Sequence, residues 1–133
     1  MYDSLLYSLM AHLEYLEHIL KATIKIEMAA IRNNVDAIEM QTKNRERLFS
    51  ITESSQSNIE DKISYLGKIP VEIKEILETW AVDVSNFIEE IDRKNISAAI
   101  QLEKIRKDLT QEIATIFNIR QAHEGYNLTS VRK

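Results

Sequence analysis

Leucines recur near the start of the chain at Leu6, Leu9, Leu13, Leu16 and Leu20, with spacings of 3, 4, 3 and 4. A period of 3.5 is the stripe of a helix that packs lengthwise on another helix. Ile24, Met28 and Ile31 extend it while it drifts sideways, because Thr23 and Glu27 stand where a strict heptad would continue. The spacing predicts a first helix from about Asp3 to Arg32, capped by Asp3 or Ser4, with Asp3 at the positive end of the helix dipole. Asn33-Asn34 interrupts the pattern. Either asparagine can end one helix or cap the next.

A second helix is predicted over Val35 to Leu66, through Ile38, Arg45, Leu48, Ile51, Ile59, Ile63 and Leu66. Its middle, Thr52 to Asn58, holds no apolar residue and has low helix propensity, so a frayed or kinked stretch is expected there. Gly67 followed by Pro70 is the clearest stop: glycine suits the residue after a helix, and proline the first turn of the next. From Pro70 to about Arg120 neither residue occurs. Ile73, Leu77, Trp80, Val84, Phe87 and Ile91 keep the seam, and after a step at Asn95 it resumes through Ala98, Leu102, Ile105, Leu109, Ile113 and Ile116. Trp80 and Phe87 are read as core. Residues 121–133 lack periodicity and are expected to be a mobile tail. The domain boundaries expected are thus 1–120 for a helical bundle and 121–133 for the tail.

At about 1.5 Å per residue the first two helices would measure roughly 45 and 50 Å, and an unbroken third roughly 75 Å. The third then overhangs its partners by about 25 Å or more. The alternative is a break near Asn95-Ile96-Ser97 that closes a four-helix bundle. The overhang is preferred, since asparagine and serine seldom break a helix whose seam resumes. On that reading the stripe Leu102, Ile105, Leu109, Ile113 and Ile116 lacks intramolecular cover and marks an interaction surface. Self-association through the same seam is the competing explanation.

Composition supports the all-α class. With 2 glycines and 1 proline in 133 residues, the turns that sheet proteins need cannot be supplied. A hydrophobic fraction of 44% separates the chain from disordered sequences. The absence of cysteine excludes disulfides, zinc–thiolate sites and thiol chemistry. A net charge of −4 argues against a general nucleic-acid binder. The uncharged stretch from Ser4 to Leu13 is too short for a membrane span and has no basic flank, so a cytosolic protein is expected. Charge is uneven: residues 67–92 carry −5 and residues 93–133 carry +4.

Candidate chemistry is sparse. His12 and His18 lie six residues apart and do not share a helix face, and no Glu-x-x-His occurs with His123 or elsewhere. Ordinary surface or boundary histidines are expected. There is no phosphate loop, nucleophile elbow or paired-carboxylate signature, so neither an enzyme nor a metal or cofactor site is expected. Tyr126, in the glycine-flanked tail, is a candidate anchor for a partner.

Three stretches carry a family resemblance: Glu27-Met28-Ala29-Ala30-Ile31 closing the leucine-rich helix; Asn33 to Ile38 leading to Arg45-Glu46-Arg47-Leu48-Phe49; and Asn95, Ala99, Ile100, Leu102 and Ile105. Over roughly residues 5–118 the pattern resembles the FlgN family of flagellar type III export chaperones, with Arg45 where lysine is usual. The resemblance implies a small cytosolic chaperone, monomeric or weakly dimeric, for hook–filament junction (hook-associated) proteins. Leu102, Ile105, Leu109, Ile113 and Ile116 would hold the coiled-coil-prone terminal segments of those clients. The tail, with Tyr126, would present the complex to the export gate. No nucleotide or metal is implied.

Overall fold

A computed structural model describes the backbone of residues 2–132 and the side chains of residues 2–122. It is an all-α fold of three helices, α1 (Asp3–Ile31), α2 (Val35–Leu66) and α3 (Val71–Arg132). The order follows from how the seams pair. Near one end, Leu5 and Leu9 of α1 cluster with Ile59 of α2 and Ile73 of α3, with Ile63, Leu66, Leu77 and Trp80 packed around them. Farther along, Leu16 and Ile19 cluster with Ile91, with Leu48 of α2 and Val84 and Phe87 of α3 beside them. So α2 runs back along α1, and α3 runs parallel to α1. Both pack on α1, whereas their own backbones stay apart. They meet through side chains, such as the hydrogen bond from the Arg45 guanidinium to Asn95 Oδ1 at 2.9 Å.

Being central, α1 buries more of its circumference than one leucine stripe. Its innermost positions are Leu5, Leu9, His12, Leu16, Ile19, Thr23, Ile26 and Ala30, one step round from the expected line. Leu6, Leu13 and Leu20 lie half-buried on the α3 side. Met28 and Ile31, read as continuing the seam, are exposed. Thr23, read as a heptad break, is fully buried. Its hydroxyl donates to the carbonyl of Ile19 at 2.8 Å, which lets threonine fill a core position at little polar cost.

Local signals are met unevenly. Neither Asp3 nor Ser4 caps α1, whose cap position is Tyr2 without a side-chain bond. Asn33 takes a left-handed φ of 54° beyond α1, and Asn34 Oδ1 accepts from the Ala37 N–H at 3.1 Å to cap α2. Gly67, at φ 64°, ends α2 in the conformation that glycine adopts without strain. Pro70 stands just before α3 and its carbonyl accepts from Lys74 N–H at 3.0 Å. The polar stretch of α2 neither frays nor breaks. Thr52 and Ile59, seven apart, turn inward and are buried, and the Thr52 hydroxyl donates to the Leu48 carbonyl at 2.7 Å. Continuous α2 and α3 exclude the four-helix alternative.

Candidate functional site

Cover along α3 ends where α1 ends. The 29 residues of α1 span about 44 Å, and α3 from Val71 to Ala98 spans about 42 Å. Ala98 is the last buried residue of α3 among those described. The 62-residue helix then runs on for about 50 Å, and beyond Ile105 every described side chain is exposed. The overhang exceeds the length expected because helix runs through 121–132, where the aperiodic composition had suggested a tail. The side chain of Tyr126, the expected anchor, lies outside the described residues.

The five expected stripe residues fall on this overhang. Ile105 is partly covered and Leu102 is 37% exposed; Leu109, Ile113 and Ile116 are 51%, 66% and 47% exposed. In a helix, side chains one turn away shield each other, so values near half mean no tertiary cover at all. The seam that is core at Ile73, Ile91 and Ala98 therefore continues as surface, on the same helical face and at the same spacing.

Sequence reasoning missed part of the apolar surface. Ile96, Ile100, Phe117 and Ile119 are also exposed. Ile96 and Ile100 stand one turn apart on a different face, above a shallow depression that includes Lys104 and Lys107. Their i, i+4 spacing was a signal, hidden because it lies off the heptad. The charged neighbours of the stripe are held on the helix itself: Arg106 donates twice to the Glu103 carboxylate, at 2.9 and 2.6 Å. That contact and the nearby positive charge of Lys107 hold the Glu103 carboxyl below the usual carboxylate range.

The remaining candidate chemistry points elsewhere. His12, expected at the surface or its boundary, is buried, and its ring lies 5.2 Å from that of Trp80 at a tilt of 57°. Neither ring nitrogen has a hydrogen-bond partner among the described residues, and burial pushes its pKa below the usual histidine value. A neutral ring in apolar surroundings is a packing element. Among the described residues no group of histidine, aspartate and glutamate side chains is placed to hold a metal ion. No helix in that range is long and apolar enough to cross a membrane. Three further depressions, one beside Tyr7 and Ile51, one beside Met10 and Ile76 and one beside Phe49 and Ile88, are grooves between helices. Comparison with family models, curated proteins and solved structures finds no match to the chain.

Proposed function

We propose that the protein is an export chaperone that holds the coiled-coil-prone terminal segments of hook–filament junction proteins against the overhanging seam of α3. The observation that carries this is the exposed stripe Leu102, Leu109, Ile113 and Ile116, with partly covered Ile105 between, on a helix whose other half is packed into a bundle. An amphipathic client segment with apolar residues at heptad spacing completes the seam as a second helix. While bound, it cannot pair with another client copy. The client orders on binding, which costs about 2–5 kcal/mol and keeps the affinity moderate. A carrier that must release its cargo benefits from that moderation. The sequence likeness to the FlgN family supports the choice of client, and no catalytic step or bound cofactor enters the mechanism.

Titration of the protein with synthetic terminal segments of hook-associated proteins tests the proposal, read together with amide exchange along α3. The expected result is saturable binding, with slowed exchange across residues 99–122. Protection confined to the bundle, or no binding, overturns it. A dimer that persists without client at every concentration in sedimentation would instead favour a structural coiled-coil role for the same seam.

A further inference from the structure

A second surface, separate from the overhang, runs along the bundle between α1 and α3. Leu6, Leu9, Met10 and Leu13 of α1, with Ile76 and Trp80 of α3, make an apolar trough with a cavity volume of about 690 Å³. Leu13 and Asp83 also line the adjoining depression, which reaches Leu20, Phe87 and Glu90, so the two form one groove. From Glu72 to Glu90 it extends about 27 Å, five turns of helix. No α2 residue enters it. Met10 and Ile76 remain exposed in the free chain.

The rim has one sign of charge. Glu72, Glu75 and Asp83 line the main trough and Glu90 its extension, and among the described residues no lysine or arginine lines either part. Glu90 contacts Arg93 at 3.3 Å beyond the groove's end. Among the described residues, Glu72, Glu75 and Asp83 form no ion pair; the four observed pairs involve other carboxylates and Glu90. Like charges one turn apart, such as Glu72 and Glu75, destabilise a helix slightly. The helix dipole favours Glu72 in the first turn of α3, whereas Glu75 and Asp83 lie beyond that turn. An apolar floor with unpaired carboxylates along its edge is complementary to a helix with leucine-like residues on one face and lysine or arginine beside them. Methionine in the floor adapts to differing side-chain shapes.

We infer that the α1–α3 groove binds a basic amphipathic helix of a partner protein, at a site distinct from the α3 overhang. The groove's sign sets it apart from the overhang, where Lys104, Arg106 and Lys107 mingle with Glu103, Asp108 and Glu112. The groove is a separate surface whatever cargo the overhang carries.

Trp80 is the single tryptophan of the chain and lies in the groove, so its emission reports occupancy. The probe is an 18-residue, end-blocked peptide with leucine at heptad a and d positions and lysine elsewhere, compared with its leucine–glutamate counterpart. The lysine peptide is expected to change Trp80 emission saturably and to bind at least tenfold more tightly than the glutamate peptide. The triple variant Glu72→Lys, Glu75→Lys, Asp83→Lys reverses that preference. Asp83→Asn, which perturbs folding less, weakens the lysine peptide alone. Leu109→Asp with Ile113→Asp, which acts only on the overhang, leaves both affinities read from Trp80 emission unchanged. Equal affinity for the two peptides, an unresponsive Trp80, or loss of binding in the overhang variant instead of the charge variants overturns the inference.

Discussion

Replacing Leu109 and Ile113 together by aspartate separates a binding stripe from a structural seam. Leu109 is 51% and Ile113 66% exposed, and neither has a tertiary partner within the bundle. The folded state therefore loses helix propensity and little else, under about 1 kcal/mol for the pair. Binding is affected differently. Covering the open half to two-thirds of each side chain contributes about 1–2 kcal/mol per residue. An aspartate in the same place must also shed water without a partner. The double variant should lose at least about 3 kcal/mol of client binding, on the order of 100-fold in Kd. Calorimetric titration with client terminal segments measures the loss, and urea unfolding followed by circular dichroism checks the fold. Leu9→Asp serves as the contrast, since Leu9 is 3% exposed and its substitution should unfold the bundle. If the double variant keeps both its stability and its client affinity, the stripe is not the binding site. If it unfolds like Leu9→Asp, the stripe is core and the account of the overhang fails.

Three further outcomes follow from the bundle. His12 has its pKa lowered by burial, so the unfolded chain takes up a proton there before the native one does. Stability is complete above the ordinary histidine value of about 6.5 and falls as pH drops below it, by at most about 1.4 kcal/mol per pH unit; His12→Leu should flatten that part of the urea-derived profile, and an unchanged slope refutes the assignment. Ile19→Ala, at a position 1% exposed, should cost about 2–5 kcal/mol in denaturant unfolding, while Ile116→Ala on the overhang costs under about 0.5 kcal/mol. Asn34→Ala removes the acceptor for Ala37 N–H and should cost about 1 kcal/mol in the same assay; no change would mean that the cap contributes nothing.

The helices, their two junctions and the long third element were legible because each rests on a local cause. Gly67, Asn34 and the 3.5-residue seam act within a few positions of themselves. Placement within α1 was not legible. Its core line lies one step from the leucine stripe because two helices pack on it, and a central helix must share its burial between two directions. A single stripe cannot reveal how many neighbours claim it. For the same reason, buried Thr23 looked like a break in the heptad and buried His12 like a surface or boundary residue. The Thr23 hydroxyl is satisfied by its own helix at Ile19, and the His12 ring is covered by Trp80, 68 positions away in sequence. The stripe's exposure was legible from length alone, since a helix longer than its partners must run past them. The groove between α1 and α3 was not, because its floor and its acidic rim come from segments that only the fold brings together.

The overhang also explains how an uncovered helix persists. A helix without tertiary packing draws little stability from propensity alone, and its first turn is costly to form. Here that turn is formed at Val71 and held by packing through Ala98, so each later residue only propagates an existing helix. Ala99, Gln101, Leu102, Lys104, Arg106, Lys107, Gln111, Glu112 and Ala114 are good helix formers, and the Glu103–Arg106 pair reinforces one turn. The bundle thus serves as the nucleus for its own extension. A stripe on such an extension is already in its binding conformation. The ordering cost of association then falls on the client, and the carrier's share of that cost is removed before the two meet.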